Sequence, residues 1–183
     1  ADNSGLASNY SLSSGTFDVT VKNVTLVGRR AYDGTTSVNS SNISSTFTGL
    51  AGSETLTLSG SGSVASKNVA AGQSVTIGSI VIANGTGVAS NYSLTSATLD
   101  ITQRPISLSG TRVYDATSTA SSSDLTTLTN LVGSETLVLS NSGTVSNANV
   151  GTDKTVTIGS LSLGDGSNGG LSSNYTLSGG THT

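Results

Sequence analysis

The side chains of this chain that could do chemistry are few, and most come in pairs. Tyr32-Asp33 is matched by Tyr114-Asp115, 82 positions on, and the two glutamates, Glu54 and Glu135, also occupy equivalent places. Asp18 and Asp100 recur in the same way. Recurrent acids raise calcium binding, with Asp33 and Asp115 as the candidates. Calcium takes roughly six to eight oxygens, several from carboxylates. Here the acids of each copy lie far apart in sequence, and no Asp-x-Asp-x-Asp-Gly loop occurs. The residue types favour a structural role. Tyr buries its ring while its hydroxyl finds a partner, and Asp accepts bonds from nearby backbone N–H groups in a turn.

A second recurrent feature is Asn9-Tyr10, Asn91-Tyr92 and Asn174-Tyr175. Each reads as a turn entering a strand, with Tyr at the edge of a core. Each is also an Asn-x-Ser/Thr glycosylation sequon, as are Asn23, Asn39, Asn42 and Asn84. In a chain this rich in Ser, Thr and Asn such triplets arise freely. Catalysis has little to draw on. His182 is the one histidine, and a Ser–His–acid triad would need it held by ordered neighbours. A two-carboxylate hydrolase would need acids paired across a cleft. Gly60-Ser-Gly-Ser-Val-Ala65 loosely matches a dinucleotide fingerprint but opens no helical pattern. Lys22, Lys67 and Lys154 align with Arg104, Ala148 and Gln73, so no lysine recurs to form a Lys–Asn cross-link. These residues predict no enzyme, no catalytic residue and no cofactor.

The pairs sit inside a longer repetition. Val24-Thr-Leu-Val-Gly28 returns as Ile106-Ser-Leu-Ser-Gly110, and Gly52-Ser-Glu-Thr-Leu56 as Gly133-Ser-Glu-Thr-Leu137. Val75-Thr-Ile-Gly-Ser79 returns as Val156-Thr-Ile-Gly-Ser160. Such a period marks modules in tandem. The reading is two modules, 22–102 and 103–183, after a leading segment, 1–21, that matches the close of a copy. Residues 5–20 align with 87–102, whereas the second copy stops before its counterpart of Leu99-Asp-Ile101. The front therefore carries an unmatched strand and the back lacks one. This frame predicts a segment of a longer array, and it allows head-to-tail strand exchange in which Phe17–Val21 of one chain fills the open edge of the second module of another.

Composition agrees with packed modules. Charged residues make up 9 % of 183 and the net charge is −3, without the high charge and low apolar content of disorder. The seven basic residues are scattered, which argues against a nucleic-acid groove. No apolar run approaches the ~18 residues of a membrane span. With no cysteine, disulfides and thiolate sites are excluded.

The elements that must position the paired residues are short strands. Val24-Thr-Leu26, Leu56-Thr-Leu58, Val75-Thr-Ile77 and Tyr92-Ser-Leu94 alternate apolar and polar, the period of a half-buried strand. Ile80-Val-Ile82 is apolar throughout and predicts a strand buried on both faces. Ile43, Phe47 and Leu50, and Leu125, Leu128 and Val132, fall at helical spacings. Before each Gly-Ser-Glu segment either a short helix, with Asp124 near its start, or irregular strand fits. Asp165-Gly-Ser-Asn-Gly-Gly170 reads as a flexible loop, and Pro105 as a module junction. The fold predicted is all-β: tandem sandwich-like modules of immunoglobulin-like topology, with β-grasp-like modules as the alternative.

Arg30-Ala-Tyr-Asp-Gly-Thr-Thr36, Gly49-Leu-Ala-Gly-Ser-Glu-Thr-Leu-Thr-Leu58 and the closing Ser-Asn-Tyr-Ser-Leu together resemble the YDG-type repeat modules of large bacterial filamentous-haemagglutinin-like adhesins. The resemblance covers nearly the whole chain. The second copy departs from it at Ala116, where the family has glycine. It implies an exported, β-rich stalk or adhesive segment on a bacterial surface, with no catalytic residues. A chain threaded unfolded through a secretion pore would gain from lacking disulfides. Surface glycans or matrix polymers are the ligands such repeats would contact, through many weak sites whose avidity climbs with number.

Overall fold

The computed structural model describes residues 5–42 and 44–178; Ile43 and His182, both singled out above, lie outside them. Residues 5–21 carry one 3-10 turn at Ala7–Asn9 and no strand. The first module then runs through β1 (Lys22–Ala31), β2 (Ser37–Asn39), β3 (Ser44–Thr48), β4 (Leu56–Ser59), β5 (Ser61–Val64), β6 (Ala70–Thr76), β7 (Val81–Asn84) and β8 (Tyr92–Thr102). Six of these form one sheet in the order β2-β5-β6-β8-β1-β3, and β4 pairs with β7 in a second. The architecture is all-β and sandwich-like.

Two long strands hold the first module together. β1 buries Val24, Leu26 and Arg30, and β8 buries Tyr92, Ala97, Leu99 and Ile101. The two run parallel from Lys22↔Tyr92 to Ala31↔Thr102. A bulge opposite Val24/Thr25 shifts the register, and it switches the buried face of β8 from even to odd residues, as one extra residue in a period of two must. The second half of β8 also pairs with β6, through Ile101↔Ala70, Leu99↔Gln73 and Thr98↔Ser74. That half strand is what joins the two sides of the sheet.

The second module follows after a single linking residue, Gln103. It contains β9 (Arg104–Ser109), β10 (Thr119–Ser121), β11 (Thr127–Thr129), β12 (Leu137–Ser140), β13 (Ser142–Val145), β14 (Val156–Thr157), β15 (Ser162–Asp165) and β16 (Tyr175–Leu177). Pairings repeat those of the first module, with one break. Strands β10-β13-β14 and β11-β9-β16 are separate sheets. β16, the counterpart of β8, covers only the first three residues of that strand, so among the described residues nothing bridges β9 to β14. Pro105 lies in β9 and pairs with Thr176 of β16.

Of the two readings of the segment before each Gly-Ser-Glu turn, short helix or irregular strand, the structure has strand, β3 and β11. Asp124 accepts from the Ser121 amide at 3.0 Å in a tight turn. Ile80-Val-Ile82 is not buried on both faces. β7 lies in a two-stranded sheet with its Val81 side chain 56 % exposed. Apolar runs this short carry no face information of their own.

Candidate functional site

The recurrent Arg-x-Tyr-Asp segment builds a loop clamp. The Asp33 carboxylate accepts from the Thr35 amide and hydroxyl, both at 2.9 Å, which closes an Asx turn where β1 ends. Its other oxygen takes Arg30 Nη1 at 2.9 Å. The same guanidinium donates to the Thr35 and Ser37 carbonyls. The second copy repeats the pattern. Thr117 caps Asp115 at 2.9 Å, and Arg112 reaches Asp115 at 3.4 Å and bonds the Thr117 and Thr119 carbonyls. The Asp115 carboxyl sits below its usual range, chiefly through the Thr117 amide. Both calcium candidates thus have their oxygens engaged by the protein. Among the described residues no cluster of three or more acidic, His or Cys side chains is gathered as a metal site.

The Tyr of this motif does something else: in the first copy it leaves its own module. Tyr32, fully buried, donates its hydroxyl to Glu135 Oε1 of the second module at 2.7 Å. Glu135 Oε2 accepts from Tyr175 at 2.6 Å. Lys67, in the loop between β5 and β6, donates to Oε1 at 3.2 Å. One buried carboxylate therefore takes two phenols and an ammonium. The rings of Tyr32 and Tyr175 meet edge to face, 5.4 Å between centroids and 79° apart, and the Lys67 ammonium stands 5.8 Å from the Tyr32 ring centre.

Backbone contacts complete the joint. Asn174, fully buried, accepts from the Val69 amide at 2.9 Å and donates to Asn68 Oδ1 at 3.0 Å. Gln103 and Arg104 reach the Ser173 and Tyr32 carbonyls across the junction. The apolar core is continuous through it. Tyr32, Val38, Leu99 and Ile101 of the first module pack in one cluster with Ile106, Leu137 and Tyr175 of the second. Gly34 follows Tyr32-Asp33 at φ +76°, and a Cβ there would lie 2.6 Å from Val132 Cγ1. The glycine of Tyr-Asp-Gly is thus needed for its left-handed turn and for the approach of the neighbouring module. Ala116, its counterpart, takes the same turn at φ 63°.

Electrostatics follow from this burial. Desolvation pushes the Glu135 carboxyl up, but the hydrogen bonds from Tyr175, Tyr32 and Lys67 outweigh it and hold it below the usual carboxylate value. Burial, then the bond to Glu135, pushes the Tyr175 phenol up to about 12 and raises Tyr32. The Tyr32 hydroxyl and the Glu135 carboxylate together raise the Lys67 ammonium. Within the first module Tyr92 donates to Glu54 and accepts from the Ala51 amide at 3.1 Å, as Tyr175 does with Glu135 and Val132. This explains why Gly-Ser-Glu and Asn-Tyr recur together: the Tyr at the head of β8 or β16 pins the turn that carries the Glu.

The residues singled out by their recurrence therefore fall in two sets. Tyr32, Glu135, Asn174 and Tyr175 come together at the joint. Their counterparts Tyr114, Glu54, Asn91 and Tyr92 do not meet one another across modules, and Asp33 and Asp115 stay in their own loops. Lys67, Asn68, Val69, Gly34 and Val132 also belong to the joint, a role that none of them was assigned from the sequence. Departures from the repeat were the available signal, since Lys67 faces Ala148 and Gly34 faces Ala116 in the alignment of copies. In the 165–170 loop the Ser167 amide donates to the Thr136 hydroxyl at 2.7 Å and the Asn168 side chain to the Ser134 carbonyl at 2.9 Å.

The model of one protein family, described as the YDG domain, matches the chain twice, over residues 18–99 and 100–183. No curated protein and no solved structure matches it significantly. No helix among the described residues is long and apolar enough to cross a membrane.

Proposed function

The chain belongs to the YDG domain family, and from that premise we propose that it is a structural repeat segment, a stalk or extender, of a secreted bacterial surface adhesin. The observation that carries this reading is the joint at Glu135. A spacer that projects a distant tip must resist bending between modules, and a one-residue linker backed by a buried carboxylate, two phenols and a shared core supplies that resistance. Independent domains within a chain otherwise move against one another by default. The lack of cysteine suits export in the unfolded state, because the joint relies on hydrogen bonds and packing that form after transport.

Adhesion by the repeats themselves, to surface glycans or matrix polymers, is the competing reading. It would draw on exposed rings, which among the described residues are Tyr10, Phe17 and Tyr114. One experiment separates the two. This chain and a version with four modules are screened against glycans and whole bacterial and host cells, with small-angle scattering on both. A stalk gives no binding from either chain and a scattering profile of rigidly docked modules. Binding that strengthens with module number assigns adhesion to the repeats.

A further inference from the structure

The first module has chain on both sides of it, and the topology fixes how a pull along that chain would reach it. Residues 5–21 lead into β1 at Lys22, and β8 leaves the module at Thr102 for β9 with Gln103 alone between them. β1 and β8 run side by side and parallel, from Lys22↔Tyr92 to Ala31↔Thr102, through ten register pairs. The chain therefore enters at one end of this ladder and leaves at the other. Tension along the chain draws β1 and β8 in opposite directions along their own length, in shear. The bonds of a parallel ladder are evenly spaced, so they share that load and must break together. A ladder opened from one end breaks a pair at a time, and each bond contributes little alone.

Both loaded strands are interior to the sheet. In the order β6-β8-β1-β3, β1 is also held by β3 from Thr25↔Thr48 to Arg29↔Ser44, and β8 by β6. A slip of one residue would turn the buried Val24 and Leu26, or Leu99 and Ile101, out of the core. Side chains fasten the ladder toward both ends. Thr95, left unpaired at the bulge, donates its hydroxyl to the Val24 carbonyl at 3.2 Å. The Thr102 hydroxyl donates to the Arg30 carbonyl at 3.2 Å, and the Tyr32 amide to the Thr102 carbonyl at 2.9 Å. That end is also where Tyr32 meets Glu135, so linker and joint pass load to the second module at one place.

Resting on the stalk reading, we propose that the β1–β8 ladder is a tension clamp, which keeps the first module folded while the chain is pulled lengthwise. Its strength is directional. A pull that parts Lys22 from the start of β8 meets the same bonds one after another and finds the module weak. A pull from Lys22 to Gln103 meets them all at once. β9 and β16 pair parallel in the same sense, through Arg104↔Tyr175, Pro105↔Thr176 and Ile106↔Leu177, so the second module turns the same kind of ladder to the load. Resistance to bending at the joint and resistance to stretching within the module are then separate properties of one stalk.

Single-molecule force spectroscopy on the whole chain tests this. The chain has no cysteine, so an introduced pair takes the pulling handles without competition. Lys22→Cys with Gln103→Cys loads the first module along the chain, and Lys22→Cys with Ser90→Cys opens the ladder from its start. All three positions are exposed, so the fold is kept. Gln103→Cys gives up one bond of the joint, to the Ser173 carbonyl, and none of the ladder. The expected result is an unfolding force severalfold higher for the first pair at the same pulling rate. Thr102→Val added to the first pair speeds unfolding under load by about fivefold, the worth of one hydrogen bond. Added to the second pair it leaves the opening force unchanged, because that break starts at the other end. Equal forces in the two directions, or a Thr102→Val effect as large in the second pair as in the first, overturns the proposal. Modules that scatter as undocked, or that bind cells, sink the stalk reading. Docked, silent modules with equal forces sink only the inference.

Discussion

Tyr32 and Tyr114 occupy the same place in two copies of one motif, yet the first is fully buried and the second lies open. Their own loops do not differ enough to explain this. Arg30 and Arg112 clamp the same Asp and the same carbonyls. What differs is the neighbour: Tyr32 has a following module whose Glu135 and Tyr175 enclose it, and Tyr114 has none among the described residues. The module is thus only part of the folding unit, as in solenoids where each repeat leans on the next. A residue of the repeat signature can serve its own copy, as Asp33 does, or the joint, as Tyr32 does.

The sharpest way to break the comparison is at the carboxylates. Glu135→Ala leaves two buried phenols and one ammonium without their acceptor and is expected to cost about 3 kcal/mol, read as a fall in thermal and denaturant midpoints. Glu54→Ala removes the partner of one phenol in a half-exposed place and should cost clearly less. Equal losses would mean that Glu135 serves only its own module and that the joint adds nothing.

Glycine tests the same asymmetry from the backbone. Gly34→Ala forces a side chain into the left-handed region and against Val132, and should lose about 2 kcal/mol. Ala116→Gly relaxes the same turn where the structure places no neighbouring module and should gain up to about 1 kcal/mol, or a fraction of it after the entropy of glycine is counted. Hydroxyl removal is milder. Tyr32→Phe should lose about 1.5 kcal/mol, the worth of a bond to a charged acceptor, whereas Tyr114→Phe in the dilute chain should leave chemical denaturation unchanged.

Much of the interior was legible in the residues alone. The alternation in Val24-Thr-Leu26 and in Tyr92-Ser-Leu94 marked β1 and β8, while Gly-Ser-Glu and Asn-Tyr each stood out by recurrence without their mutual hydrogen bond being read from it. Phe47 and Leu50 read equally well as helix, because a five-residue strand followed by a turn can mimic helical spacing. The joint was not legible. Comparing the copies highlights what they share, and Tyr32, Asn174 and Glu135 were noticed for that reason. The partners that make them a joint come from different copies, and the counterpart of Lys67 is an alanine, Ala148. Bonds between Tyr32 and Glu135, or Asn174 and Val69, span more than a hundred residues and leave no periodic trace.

The smallest expected effect is that of pH. Glu135 in the fold lies below its usual value of 4.5, so its contribution is fully present above that value and is lost as pH falls through the lower, folded one. The Tyr175 phenol is raised from 10.0 to about 12, so its contribution is present below 10 and is lost as pH climbs toward 12. The joint should therefore hold across neutral pH and loosen at both extremes. The acid loss should be smaller than that of Glu135→Ala, because a protonated carboxyl still hydrogen-bonds to one phenol. Amide exchange, corrected for its intrinsic pH dependence, reads this at the Val69 amide, which bonds across the joint to Asn174, against the Ala51 amide, which bonds Tyr92 within the first module. Acid should cost Val69 its protection first. Loss of both together would place the acid-sensitive group outside the joint and remove Glu135 as its cause.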